Sequence, residues 1–123
     1  MIFYIKKPAL EAILQASRTS YPMEFGAMLR GKEDTITEAL LLPGTIQGSK
    51  HALFNLNMLP TKSRSIGSVH SHPSLSNNPS QADLFFFRKT GRVHLIAAYP
   101  YRNITNIAAY SNDGNPVELE VIE

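Results

Sequence analysis

A chain of 123 residues, 43% hydrophobic and 18% charged, has the size and make-up of one ordinary globular domain, long enough to bury a core without disulfide staples. Its net charge of +2, from 12 Lys and Arg against 10 Asp and Glu, is scattered rather than striped, which argues against a nucleic-acid partner. There is no cysteine, so disulfide frameworks and cysteine-based zinc or redox motifs are excluded, and no stretch approaches the ~20 apolar residues of a membrane span.

The N-terminus places Lys6-Lys7 after its apolar residues, the reverse of a secretory leader, so the expected compartment is the cytoplasm. With no linker or repeat, residues 1–123 read as a single domain. Residues 2–6 are β-prone. Pro8 suits a first helical turn, and Leu10, Ile13, Leu14 and Ser17 follow at helical spacing, predicting a helix over 8–19 that stops before Tyr21-Pro22. Phe25 to Arg30 and Thr35 to Leu42 read as a hairpin about Lys32-Glu33-Asp34, closed by Pro43-Gly44. His51 to Leu56 is a weaker strand, and Met58 to Ser65 a loop.

Ile66 to His72 reads as a strand of small residues ending at Pro73, and Ser74 to Pro79 as a loop. Ser80 as N-cap, Asp83 three residues on and Gly91 past the end predict a helix over Ser80 to Thr90. Val93 to Tyr99, Ile104 to Tyr110 and Val117 to Ile122 are further strands, the last two joined by a turn at Asn112-Asp113-Gly114. The sum is a mixed α/β domain of six to eight strands and two helices.

The chemistry lies in His70-Ser71-His72-Pro73, followed by Ser80-Gln81-Ala82-Asp83. Residues two apart on a strand share a face, with Cα atoms roughly 6.5–7 Å apart, so two imidazoles can lean onto one ion. Ten residues separate His72 from Asp83, enough for a loop to return and present a carboxylate from the next helix. Two histidines and one carboxylate, with a fourth position for water, make a catalytic zinc set, here one zinc per chain. Alone, His-x-His is often packing and Ser-x-x-Asp often a helix cap; together and in this order they carry more. The small residues Gly67 and Ser68 fit a strand packed tightly beneath a site.

Hydrolysis at such a metal needs a general base. Most carboxylates belong to polar faces or turns: Glu11, Glu33, Asp34, Asp113, Glu118, Glu120 and Glu123. Glu24, heading the apolar Phe25-Gly26-Ala27-Met28-Leu29, and Glu38, within a strand, both remain, with Glu24 slightly favoured.

An upstream Glu, then His-Ser-His-Pro, then Ser-x-x-Asp resembles the signature of the JAMM (MPN-plus) metallopeptidases, and the whole chain is similar to the stand-alone archaeal members. The resemblance implies zinc on His70, His72 and Asp83, Glu24 as the base, and Ser80 as a residue that holds the tetrahedral intermediate. It implies a cytidine-deaminase-like fold, a curved mixed sheet flanked by helices. It also implies isopeptidase activity of the deubiquitinase-like kind on ubiquitin-like modifiers, or, as in some bacterial relatives, trimming of sulfur-carrier proteins. The two insertions of the linkage-reading eukaryotic enzymes find no room in Asn55–Ser65 or Tyr99–Asn106. A Gly-Gly tail would thread beside the His70–His72 strand and pair with an exposed strand edge, flanked by Lys62 and Arg64.

A cytidine deaminase would need a Pro-Cys-x-x-Cys segment and a thermolysin-like protease His-Glu-x-x-His; neither is present. A non-catalytic MPN-type scaffold is the remaining competitor, and such domains typically lack part of the ligand set that is complete here. His94 and His51 read as packed or surface histidines. Phe85, Phe86 and Phe87 cannot all face the core from one helix, so they suggest either a helix wedged between layers or a contact face for a second copy or a substrate.

Overall fold

The computed structural model describes residues 1–41, 65–89 and 91–123. The first apolar run forms β1 (Ile2–Lys6), which buries Phe3 and Ile5. Helix α1 (Lys7–Ser20) follows directly, with Pro8 in its first turn. Its buried stripe of Ala9, Leu10, Ile13, Leu14 and Ser17 has the predicted spacing, and Glu11, Gln15 and Arg18 are exposed. Burying each large aliphatic side chain of that stripe contributes about 1.5–3 kcal/mol.

The hairpin β2 (Gly26–Lys32) and β3 (Thr35–Leu41) turns at Glu33 and Asp34. The expected strand His51–Leu56 and the loop Met58–Ser65 lie outside the described residues, except that Ser65 begins β4 (Ser65–His72). Helix α2 (Gln81–Phe87) is shorter than predicted, ending before Arg88, and Gly91 beyond it has φ +75°. It leads into β5 (Val93–Ala98). Ile104–Asn106 forms a 3₁₀ turn where a strand was expected, because the Asn103 side chain accepts from Thr105 N–H and Asn106 reaches back to the Asn103 backbone. Only then does β6 (Ile107–Ser111) begin, and β7 (Pro116–Ile122) closes the order.

The sheet is mixed and curls until its ends meet, in the order β1-β3-β2-β4-β5-β6-β7 with β7 parallel to β1. The curved mixed sheet is as expected; its closure depends on pairing residues 2–6 with 118–122, which local sequence does not report. β4 is antiparallel to β2 and parallel to β5. Parallel neighbours need a crossover, and α2 provides it, lying on one face of β4 and β5. Gly67 permits their close approach: a Cβ there would come within 1.6 Å of the Val93 carbonyl oxygen.

Alternation divides the core. Val69, Val93, Leu95 and Ala97 join the cluster around α1, while Met28, Ile96 and Tyr110 pack with Phe86 and Phe87 of α2. The phenylalanine run splits accordingly: Phe86 and Phe87 are buried and Phe85 is 61% exposed, with the Lys89 ammonium 4.2 Å from its ring centre. His94 is buried on the α2 side, its ring stacked on Phe87 at 4.4 Å and its Nδ1 2.7 Å from Ser68 Oγ.

Burial pushes the His94 imidazole down to about 4. The unfolded chain therefore binds a proton that the folded chain refuses between pH 6.5 and about 4. Stability from this group is complete above that window and is lost as the pH falls through it, by about 3 kcal/mol at 1.36 kcal/mol per unit. Urea unfolding of metal-free wild type and His94→Gln is expected to show this difference, wild type losing more between pH 7 and 4.5. Equal acid responses would mean that His94 is protonated in the folded protein.

Candidate metal centre

The end of β4 projects His70 and His72 to the α2 side and Ser71 to the other. The chain then turns out at Pro73, and the following loop is tied down by Tyr99 N–H to the Ser74 carbonyl at 2.9 Å and Tyr110 Oη–H to the Asn77 carbonyl at 2.8 Å. That loop delivers the first turn of α2 back to the histidines.

Asp83 completes the group. Its Oδ1 lies 3.0 Å from His70 Nε2 and its Oδ2 3.4 Å from His72 Nε2, and the two Nε2 atoms are 3.2 Å apart. A tetrahedral ion with bonds of ~2.0–2.1 Å holds adjacent donors roughly 3.3–3.4 Å apart, so the three donors already have the spacing for one. Among the described residues this is the single cluster of three such groups able to hold a metal ion. His72 Nδ1 is 3.2 Å from the Ser76 carbonyl; donating its proton there leaves Nε2 with a free lone pair. His70 Nδ1 is buried without a hydrogen-bond partner.

The same carboxylate starts the helix. Ser80 N–H donates to Asp83 Oδ2 at 2.8 Å, and Asp83 N–H donates to Ser80 Oγ at 3.1 Å, a reciprocal capping box. Burial alone would push the Asp83 carboxyl up, but hydrogen bonds from His70 and His72 outweigh it and hold the group far below the usual carboxylate range. For His72 burial works against protonation, and the Asp83 carboxylate overcomes it and raises the imidazole.

Comparison with known proteins agrees with this arrangement. The family model for prokaryotic homologs of the JAB domain matches residues 6–112. The chain belongs to that family. A protein of Haloferax volcanii described as a probable metalloprotease is 33% identical, over 97% of this chain and 79% of its own length. Among solved structures, one described as JAMM, a metalloprotease-like zinc site in the proteasome and signalosome, has a TM-score of 0.78 at 34% identity, covering both chains fully. A JAB1/MPN domain protein from Archaeoglobus fulgidus also gives 0.78, at 36% identity over 98% of this chain and all of the other. A protein from Desulfitobacterium hafniense, 20% identical with a TM-score of 0.66, shares the fold. The JAB-domain fold and a metalloprotease-like family are thus shown for this chain.

In this JAB-domain protein the β2–β4 register separates the two candidate bases. Gly26, at the start of β2, pairs with His70, and Glu24 just before it is close enough to the centre for His70, His72 and Asp83 all to act on its charge. Burial raises the Glu24 carboxyl, and the nearby His70 and His72 partly offset that rise. Glu38 is elsewhere, exposed on β3 and 3.5 Å from Arg30. Ser80 is the exposed N-cap of α2, His94 is buried against Phe87 and not part of the cluster, and His51 lies outside the described residues. Two bordering residues escaped the sequence reading. Ser71 Oγ accepts from Phe25 N–H at 2.8 Å, and Tyr101 Oη–H donates to the His72 carbonyl at 2.8 Å. Only the position of Ser71 between two ligand candidates could have drawn notice; Tyr101 carried no signal.

Adding Zn²⁺ or Co²⁺ to metal-free protein is expected to raise its melting temperature, since an ion bound only by the folded state stabilises it by about 2.7 kcal/mol at a hundred times Kd. His70→Ala and His72→Ala should lose most of that gain and Asp83→Ala part of it, as read by calorimetry. An undiminished shift in His70→Ala would put the ion elsewhere.

Proposed function

We propose that this protein is a zinc-dependent peptidase that hydrolyses amide bonds after the C-terminal Gly-Gly of ubiquitin-like modifiers, including isopeptide bonds to lysine. The observation that carries the reading is the convergence of His70, His72 and Asp83 beside a part-buried Glu24 whose charge is felt by all three. His70, His72 and Asp83 would hold one zinc ion. Bound there, zinc supplies Lewis-acid polarisation of the scissile carbonyl and makes a water acidic near neutral pH.

The remaining work falls to side chains. Glu24, its carboxyl raised toward neutrality, takes the proton of the attacking water and passes it to the departing amine. Ser80 already accepts from Asp83 N–H, so its own hydroxyl hydrogen is available to the oxygen on which negative charge develops. The approach is from the His72 side, since that side chain is 16% exposed while His70 and Asp83 are 1% and 3%. A tail without side chains fits such a narrow approach. Ring closure restricts where it can add as a strand: β1 pairs with β3 only at Thr35 and Ile36, so β3 beyond that point has a free edge among the described residues. The proposed flank of Lys62 and Arg64 lies outside the described residues.

Glu24→Gln is expected to keep its zinc and fold while losing nearly all hydrolysis; loss of zinc instead would make Glu24 a ligand. Ser80→Ala should lower turnover by roughly 10²–10³ fold, with a cap loss of about 1 kcal/mol in stability. A stability loss without the turnover loss would leave Ser80 a helix cap only. The substrate is tested with a panel of lysine conjugates, linear fusions and sulfur-carrier adducts, each incubated with zinc-loaded wild type and Glu24→Gln. Cleavage of the sulfur-carrier adducts alone would reassign the substrate, and no cleavage at all would favour a non-catalytic scaffold.

A further inference from the structure

Ser71 stands between the two histidines yet points away from them, fully buried on the α1 side of β4. It meets the segment that carries Glu24. Its N–H donates to the Phe25 carbonyl at 2.9 Å, as an antiparallel ladder requires. The return bond is not the ordinary one: Phe25 N–H goes to the Ser71 hydroxyl at 2.8 Å rather than to a backbone carbonyl. Phe25 is 1% exposed, so water cannot replace that acceptor. The ladder thus leaves its regular course one residue before Gly26, and the hydroxyl sets where Glu24 departs from it.

The far side of the same strand end is equally fixed. Tyr101, buried with φ 59°, gives its hydroxyl hydrogen to the His72 carbonyl, and its own carbonyl accepts from the Arg18 guanidinium. A non-glycine residue in that backbone region persists only where its surroundings hold it. Tyr101 thus anchors His72, and its side chain also hydrogen-bonds that of Ser71; what Ser71 adds beyond that anchor is the placement of Glu24 relative to the ligand candidates.

We propose that Ser71 is a positioning residue for catalysis: its hydroxyl, by accepting the Phe25 N–H, holds Glu24 in line with the site formed by His70, His72 and Asp83. The inference rests on the peptidase reading for its effect on rate, but its geometry can be measured without turnover. In Ser71→Ala the Phe25 N–H loses its acceptor, and the segment shifts toward the Ser71 carbonyl. A misplacement of about 1 Å can cost roughly 10²-fold in rate.

The test compares wild type, Ser71→Ala and Ser71→Thr as zinc-loaded full-length chains. In Ser71→Ala, amide exchange at Phe25 should quicken at least about tenfold and kcat fall about tenfold to a hundredfold. KM and the zinc Kd should stay within about twofold, and Ser71→Thr, which restores the hydroxyl, should recover both the protection and the rate. Unchanged Phe25 exchange overturns the proposal, as does a kcat loss that follows zinc loss or is not recovered by Ser71→Thr. If Ser71→Ala does not fold, Ser71→Cys keeps the shape with a weak acceptor and should show the same losses. If wild type cleaves no substrate, the peptidase reading fails while the exchange comparison still decides whether Ser71 holds the Phe25 segment.

Discussion

Successive residues of an extended strand face opposite ways, and the centre depends on how β4 uses that alternation over its last five positions. Ser68, His70 and His72 share the side covered by α2, while Val69 and Ser71 share the side of α1. One face collects donors for an ion, and the other locks the strand to its neighbours. Neither face could be built on a mobile edge. β4 lies between β2 and β5 in a closed ring, so both of its backbone edges are paired. The donors stand within a few tenths of an ångström of the spacing a tetrahedral ion imposes.

The electrostatics follow from that burial. A carboxylate as enclosed as Asp83 costs several kcal/mol to desolvate unless it is paired, and its partners are the two imidazoles and the Ser80 N–H. Protons and a metal ion held there would therefore compete for the same lone pairs, and acidification would work against the ion through His72. Glu24 is balanced differently. Burial is the largest influence on it, so it stays the more basic carboxylate although it is near the same two histidines. Two carboxyl groups at one centre are pushed in opposite directions, the separation that the proposed roles of ligand for Asp83 and proton acceptor for Glu24 require.

What the sequence disclosed was what short-range rules govern. The stripe of α1, the cap at Ser80, and the shared face of His70 and His72 all depend on residues within a turn or two. That Glu24 rather than Glu38 is near the histidines depends on the pairing of β2 with β4, whose partners are 35 to 44 residues apart; the sequence favoured Glu24 only slightly, and the family resemblance added the rest. Ring closure was hidden for the same reason. The 3₁₀ turn at Ile104–Asn106 was missed because apolar alternation there is overruled by two asparagine side chains. Ser71 and Tyr101 were missed because a buried hydroxyl says nothing of its partner until the chain is folded.

The doubled use of the Asp83 carboxylate, as candidate metal donor and as the reciprocal half of the α2 cap, constrains how this domain can change by mutation. A descendant that gave up the ion by losing Asp83 would also leave Ser80 N–H without its acceptor and unsettle the helix start. Asparagine keeps a capping oxygen while surrendering the charge. A descendant of this chain that gave up the charge but kept the scaffold would therefore have an easier route through Asn at this position than through Ala. Loss of function and loss of fold are coupled at one atom here, and separable by a single amide.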